Sequence, residues 1–183
     1  MDTSKWTSQI DETTHLFQET FGVLTHEQLN WKPSVETWSI AQNIEHLITI
    51  NESYEPVIES VLDGSYKLPL LGKLGFIVNF IGNQLLKSVQ PNRKKKMKTF
   101  PIWEPRESTV PEGILDRFAQ HQSSLKELIV SSDGLLDDNS IISSPANKNI
   151  VYKLETAFDI IVAHELRHLV QAKKVAKALN SKL

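Results

Sequence analysis

The last periodic stretch of the chain reads Val151-Tyr-Lys-Leu-Glu-Thr-Ala-Phe-Asp-Ile-Ile-Val-Ala-His-Glu-Leu-Arg-His-Leu-Val-Gln-Ala-Lys-Lys-Val-Ala-Lys-Ala-Leu179. Its apolar residues recur at three- and four-residue steps, the period of one face of an α-helix. They are Leu154, Ala157, Phe158, Ile161, Leu169, Ala172, Val175, Ala176 and Leu179. The pattern predicts one long helix over about Val151 to Leu179. It also places His164 and His168 together on the apolar side of that helix, because they are four residues apart.

Two segments nearer the start of the chain show the same helical period. The first predicts a helix over about residues 3 to 22, with large apolar residues at three- and four-residue steps. In the second, Ser39 can cap a helix that runs to Gly64, and Pro56 inside it predicts a kink or a break. Both segments therefore supply long amphipathic helices.

The middle of the chain adds two more helical segments. One covers about Leu74 to Val89, and the other starts at a capping-box pair, Thr109 and Glu112, and is closed by Asp133-Gly134. No useful length of sequence alternates with period two, so a sheet is not expected. The prediction is an all-α four-helix bundle with long connections, forming a single domain over residues 1–183.

Composition narrows the chemistry available to this bundle. The 183 residues carry a net charge of -2 and include no cysteine. Disulfide scaffolds, thiolate metal sites and cysteine nucleophiles are excluded. Any metal must be held by nitrogen and oxygen ligands, and any reactive thiol must come from outside the chain.

Two features bear on localisation. The first ten residues lack the basic and apolar regions of a secretory signal. The most hydrophobic stretch, Leu68 to Leu86, is interrupted by Lys73, Asn79, Asn83 and Gln84, which makes it too polar for a membrane span. We therefore expect a cytoplasmic protein without a membrane partner.

The six histidines differ in their suitability as metal ligands. His15 and His26 lie on a charged face and in a turn, so they are set aside. His164 and His168 match the HExxH pattern of zinc proteases, but the 15 residues after His168 offer no His, Asp or Glu as a third ligand. The third ligand must therefore come from another helix. His46 is the best candidate, and His121 is the reserve.

Three imidazoles from two helices form a ligand set with at least one coordination position left open. That arrangement is typical of a catalytic metal site. Zn, Ni and Fe(II) all accept imidazole, so ligand type does not choose among them.

Two motifs resemble those of the DinB-like superfamily of metal-binding four-helix bundles. The first runs from Leu29 through Pro33, Trp38 and Ser39 to the His46-Leu pair, and the second is Ala163-His-Glu-Leu-Arg-His-Leu-Val-Gln171. The resemblance covers nearly the whole chain, but residues 65–110 match only in outline. It implies an up-down-down-up bundle.

The resemblance also places His46, His164 and His168 on the family's metal-ligand positions. The family includes bacillithiol S-transferases, a mycothiol-dependent isomerase, and proteins described as metal-dependent hydrolases or as stress-inducible. It therefore implies a metal-dependent enzyme that acts on a small molecule, either a thiol S-transferase that uses a low-molecular-weight thiol or a hydrolase. A stress-response or binding module without turnover is the alternative.

Other residues near these motifs have candidate roles. Glu165 is a candidate general base, and the competing interpretation is a surface carboxylate paired with Arg167 or a nearby lysine. Gln171, Asn43 and Tyr54 are candidates for the cavity wall or for contacts behind the ligands. Trp31 and Trp38 are expected to be packing anchors of the linker, and the alternative is that they are platforms for substrate.

Two surface features complete the sequence picture. The run from Arg93 to Lys98 has five cations in six positions and offers contacts to phosphate. A run this short is usually solvated, so no nucleic acid is expected as a partner. The apolar segment from Leu70 to Leu86 exceeds what one bundle readily covers, which predicts a homodimer.

Overall fold

The computed structural model describes residues 2–93 and 98–181. A bundle is formed by α1 (Ser4–Phe21), α3 (Ile40–Glu52), α6 (Ile114–Ser131) and α8 (Leu154–Asn180), in which α3 and α1 each pack between α6 and α8. The remaining helices are α2 (His26–Asn30), α4 (Glu55–Leu62), α5 (Gly75–Val89) and α7 (Asp133–Asp137), with 3-10 turns at Leu70–Lys73 and Pro101–Trp103. Strands β1 (Ile141–Ser144) and β2 (Asn147–Lys153) form a hairpin, against which α5 packs while it also contacts α8. The predicted all-α bundle is confirmed.

The bundle interior consists of two apolar clusters. One surrounds Trp6 and Phe158, and the other surrounds Phe17 and Phe118. Between them, each bundle helix contributes a buried polar side chain, namely Thr13, Asn51, Gln122 and Glu165. Burying polar groups costs free energy unless they are hydrogen-bonded, so the bonds from Asn51 and Gln122 to Glu165 lower the cost of burying this polar layer.

Two predictions about the first half of the chain agree with the structure. Helix α1 has nearly the predicted bounds. The break predicted at Pro56 occurs just before it, since α3 ends at Glu52 and α4 begins at Glu55. A proline is tolerated in the first turn of a helix, where its missing N–H has no partner to lose.

The prediction of no sheet is wrong at one place. β1 pairs antiparallel with β2, and Ile142 lies opposite Tyr152. The last helix consequently starts at Leu154, and Val151 belongs to β2. Three consecutive residues of β1 are buried, so a period of two never shows in the sequence.

The predicted limits of the fourth helix are also wrong. The capping pair Thr109 and Glu112 is not used, because α6 follows Gly113 in the left-handed conformation (φ 77°). Val110 is held by Asn30, which accepts from its N–H at 2.8 Å and donates to its carbonyl at 3.0 Å. Those bonds hold Val110 against the end of α2 instead of in the first turn of α6. Gly134 lies inside the short helix α7 and does not close α6.

Candidate metal centre

Helix α3 positions the first histidine of the site. Ser39 and Gln42 form a capping box that fixes the start of this helix. Two turns later, His46 is 2% exposed, and its Nδ1 lies 2.6 Å from the carbonyl oxygen of Trp103. A carbonyl oxygen can only accept, so Nδ1 carries the proton and Nε2 keeps its lone pair.

Helix α8 supplies the other two histidines. Nδ1 of His168 lies 2.7 Å from Oδ1 of Asn43, whose Nδ2 donates to the carbonyl of Ser39 at 2.8 Å. These bonds fix the proton of His168 on Nδ1, which again leaves Nε2 as a lone-pair donor. His164 lies one turn earlier on α8, and its Nε2 is 3.0 Å from that of His168.

The three imidazoles lie close together. Each offers one ligand atom, and these atoms all lie within 4.8 Å of one another. Two nitrogens that bind one metal at about 2.0–2.1 Å, with tetrahedral or octahedral angles, lie about 2.9–3.4 Å apart. The 3.0 Å between Nε2 of His164 and Nε2 of His168 fits that spacing. This buried three-histidine group is therefore suited to a divalent metal.

The electrostatics of the group favour metal binding over protonation. Burial lowers the pKa of His164 and of His168 well below the ordinary value, and the neighbouring histidines and Arg167 lower both further. Burial also lowers the pKa of His46, although its bond to the Trp103 carbonyl opposes this. All three rings are therefore neutral near pH 7, the form that binds metals.

A cavity of about 350 Å³ lies against the three histidines. The predicted wall residues Asn43, Tyr54 and Gln171 do line it. Trp38 lines it as well, with its ring centroid 4.8 Å from that of His46 and 6.0 Å from that of His168. The histidines therefore share their surroundings with a large aromatic ring and an accessible space.

The sequence does not predict the whole of this wall. It indicates a packing anchor at Trp38, although the position of Trp38 immediately before the helix cap Ser39 is a signal that it lies at the start of the helix that carries His46. It indicates Arg167 only as a partner of Glu165, yet Arg167 lines the cavity and donates to the carbonyls of Gln90 and Arg93 at 3.0 and 3.1 Å.

A family model described as the DinB superfamily matches residues 9–172. The chain belongs to the DinB superfamily. Comparison with curated proteins and with solved structures found no significant match. Within the described part of this DinB chain, no helix has the length and apolarity needed to cross a membrane.

Glu165 is not among the residues that line the cavity of this DinB bundle, although its partner Asn51 is. Its carboxylate is fully buried in the polar layer, where Oε1 accepts from Nδ2 of Asn51 at 2.8 Å and Oε2 accepts from Nε2 of Gln122 at 2.9 Å. The surface-carboxylate interpretation is therefore wrong. The general-base role stays a prediction, and Glu165 is not among the residues that line the cavity. Through these two bonds the carboxylate joins α8 to α3 and α6.

His121 lies outside the metal group. It lines a separate hollow together with Glu52, Arg117 and Ser124. Among the described residues, the group close enough to hold a metal contains His46 and the two histidines of α8, without His121. Burial lowers the pKa of His121 to about 4, and its Nε2 has no hydrogen-bond partner among the described residues.

Replacing His121 with Phe is expected to make the metal-free protein less sensitive to acid. The folded-state pKa lies below the usual value, so the stability that neutral His121 contributes is present above pH 6.5 and is lost as pH falls toward 4. The wild type should lose about 2–3 kcal/mol more than His121→Phe between pH 6.5 and 4. Urea unfolding at a series of pH values measures this. Ser124→Ala in the same hollow is the control, and parallel curves for wild type and His121→Phe would contradict the prediction.

Asn43→Ala is expected to weaken metal binding about 10- to 100-fold, because Asn43 fixes the ring and the protonated nitrogen of His168. Competition with a chromogenic chelator measures the affinity. Asn43→Asp is the matched variant, since it keeps an oxygen that accepts from Nδ1, and it should retain most of the affinity. Equal affinities for wild type and Asn43→Ala would show that this bond does not support the site.

The basic run from Arg93 to Lys98 falls mostly outside the described residues, since residues 94–97 are not described. At its two ends, the carbonyl of Arg93 accepts from Arg167, and Lys98 lines the cavity. The described ends therefore border the candidate site.

Proposed function

We propose that this DinB-superfamily chain is a metal-dependent enzyme, either a thiol S-transferase or a hydrolase. The observation that carries the proposal is the close grouping of three neutral imidazoles beside a cavity of about 350 Å³. Cavities of roughly 300–1,000 Å³ are typical of small-molecule sites. A structural metal site is normally closed by four protein ligands, whereas this group offers three.

The bound metal would supply Lewis-acid chemistry, because a divalent cation lowers the pKa of a coordinated thiol or water. His46, His164 and His168 would hold Zn, Ni or Fe(II). The carbonyl of Trp103 and the amide of Asn43 keep two of these rings in the required orientation.

Two further side chains have proposed roles in binding substrate. Arg167 brings a positive charge to the cavity wall, which favours an anionic group on the substrate. Trp38 places an aromatic face beside His46 and His168 and shields the site from water. Gln171 adds an amide to the same wall.

The absence of cysteine favours a thiol cosubstrate over a protein thiol. In that reaction the thiol sulfur bonds to a carbon of an electrophile, the leaving group departs with its electron pair, and the thiol proton passes to solvent. We place the reaction in the cytoplasm, where low-molecular-weight thiols are kept reduced. A hydrolase would instead deliver water to a scissile bond.

A conjugation assay tests the proposal. Protein loaded with Zn, Ni or Fe(II) is incubated with 1-chloro-2,4-dinitrobenzene and a panel of low-molecular-weight thiols, and separately with nitrophenyl esters without thiol. Metal-dependent conjugation that is lost in His168→Ala supports the transferase, and thiol-independent ester cleavage supports the hydrolase. A protein that binds metal stoichiometrically but turns over none of these substrates would favour the binding module instead.

Pairing of two copies is part of the proposal, since the predicted apolar segment does present exposed side chains. Leu70, Leu74, Phe76 and Phe80 are 79%, 43%, 74% and 63% exposed. Phe76 and Phe80 are four residues apart on α5 and share one face. Adjacent exposed apolar side chains of this size mark interaction surfaces more often than isolated ones do.

The double substitution Phe76→Ser and Phe80→Ser is expected to convert a dimer into a monomer, because it removes the largest apolar side chains of this surface. Light scattering coupled to gel filtration measures the mass. The matched control is Val23→Ser with Val35→Ser, two side chains that are 86% and 93% exposed elsewhere on the chain. A wild type that is monomeric at high concentration would contradict the prediction.

A further inference from the structure

The cavity extends beyond the histidines into an apolar region. We call this region the inner arm and define it by Ile50, Tyr54, Leu85, Ile150, Tyr152 and Ile161, all of which line the cavity. Ile161 lies about 4.5 Å along α8 from His164, at 1.5 Å per residue. Tyr54 follows the end of α3, about 12 Å along the chain direction from His46 by the same rise. The inner arm therefore starts within one helical turn of the metal ligands and leads away from them.

The walls of the inner arm carry no charge. Among the six residues that define it, the polar side-chain atoms are the hydroxyls of Tyr54 and Tyr152, which bond to each other at 2.9 Å. Asn51, Ser88 and Ser144 line the same cavity but are not part of the arm as defined here. Both tyrosines are at most 3% exposed, and burial raises the pKa of Tyr54 to about 12, so its hydroxyl stays neutral. Because the two hydroxyls satisfy each other, the arm does not require a polar ligand group at this point.

Three of the four aliphatic side chains of the arm are not fully covered by the protein, while Ile161 is 2% exposed. Ile50, Leu85 and Ile150 are only partly buried where they pack on the core cluster of Phe158. Aliphatic side chains offer water no hydrogen bonds, so water is held only weakly in a space that they line. An apolar group of a ligand would cover this surface and gain the free energy of burial.

We propose that the inner arm binds the alkyl or aryl group of a small electrophile, while the reacting end of that molecule faces His46, His164 and His168. The inference rests on the proposed function, since it assigns the arm to the second substrate. A cavity of about 350 Å³ is near the lower end of the roughly 300–1,000 Å³ range of small-molecule sites. The ligand is accordingly a compound with one short chain or one ring, and a diacyl lipid is too large.

A chain-length series on metal-free protein tests the arm separately from catalysis. The neutral dye N-phenyl-1-naphthylamine is bound first and is then displaced by straight-chain alcohols from butanol to decanol. Affinity is expected to rise about fourfold per methylene, until the arm is full, and then to level off. An affinity that does not depend on chain length would overturn the inference.

A filling variant locates the binding. Ile150→Trp narrows the arm at a partly buried position, so the affinity should level off at a shorter alcohol than in wild type. Val130→Trp on α6 is the matched control, because Val130 is 56% exposed and is not among the cavity-lining residues. If the affinity levels off at the same alcohol in wild type and in a folded Ile150→Trp variant, the dye and the alcohols bind outside the arm. If that variant fails to fold, the wild-type series alone still tests whether the affinity depends on chain length.

A third measurement separates this inference from the proposed function. His168→Ala should lose turnover yet keep the chain-length dependence of binding, because His168 does not belong to the inner arm. In active enzyme, kcat/KM for 1-bromoalkanes with a thiol should rise about fourfold per methylene. Binding that depends on chain length, in a protein without turnover, would contradict the proposed function but not the assignment of the arm. A kcat/KM that does not change with the chain length of the bromoalkane would contradict the assignment of the arm.

Discussion

His168→Ala is expected to purify without stoichiometric metal and to bind added Zn or Ni more than about 100-fold more weakly than wild type. Loss of a supporting group behind a metal ligand typically costs about 10- to 100-fold in affinity, so loss of a ligand itself must cost more. The two remaining histidines cannot hold the metal comparably, since the structure shows no other His, Asp or Glu in this group within the described residues.

The measurement is metal content by inductively coupled plasma mass spectrometry, on protein purified without an affinity tag and then incubated with metal. His46→Ala should behave like His168→Ala, because the two rings contribute equivalent Nε2 lone pairs. His121→Ala is the matched control and should keep its metal, since His121 lies in another hollow. Circular dichroism must show that each variant is folded.

Two outcomes would contradict the assignment of His46, His164 and His168 as the metal ligands. If folded His168→Ala retains one metal per chain, the metal binds elsewhere. If His46→Ala retains metal while His121→Ala loses it, the reserve assignment made from the sequence is correct and the geometry of the three-histidine group is not the binding geometry.

Two members of the three-histidine group can be predicted from the sequence, because helical periodicity alone places His164 and His168 on one side of α8. The choice of His46 followed from its apolar neighbours on a predicted helix. The hairpin could not be found this way, since Ile142, Ser143 and Ser144 are buried in succession and no alternation marks the strand. Spacing along one helix predicts a shared face, whereas contacts between distant segments need the folded chain.

The same limit explains why the surface-carboxylate interpretation of Glu165 is wrong. Its neighbour Arg167 suggests a surface ion pair, but the carboxylate contacts Asn51 and Gln122, which are 114 and 43 residues away in sequence. No local sequence pattern predicts a contact between residues this far apart in the chain. The available signal was the high apolar content on both sides of Glu165, which made a fully exposed position improbable.

Glu165→Leu is expected to lower the free energy of unfolding by about 3–5 kcal/mol, because each buried amide left without its acceptor costs about 1–3 kcal/mol. In a chain of this size that corresponds to a fall in Tm of roughly 10 °C. Thermal and urea unfolding of metal-free protein measure the change. Glu165 is fully buried, so solvent cannot replace the lost contacts to Asn51 and Gln122.

Glu165→Gln is the matched variant and should cost about 1 kcal/mol or less. Burial raises the pKa of Glu165 to about 7, despite the bonds from Gln122 and Asn51, so a neutral side chain is already favoured over much of the acid range. Oδ1 of Asn51 and Oε1 of Gln122 have no partner among the described residues, and rotation of one amide would present an acceptor for the new N–H group.

The two substitutions together distinguish a positioning carboxyl from a catalytic one. A positioning group predicts that Glu165→Gln keeps both stability and turnover, while Glu165→Leu loses stability. A general base predicts that Glu165→Gln loses about 10²- to 10⁴-fold in kcat with its stability unchanged. Since the carboxylate joins α8 to α3 and α6 and does not line the cavity, we expect the first result. Glu165 then acts on the metal centre only by holding α3 and α8 at the separation that lets His46 meet His164 and His168.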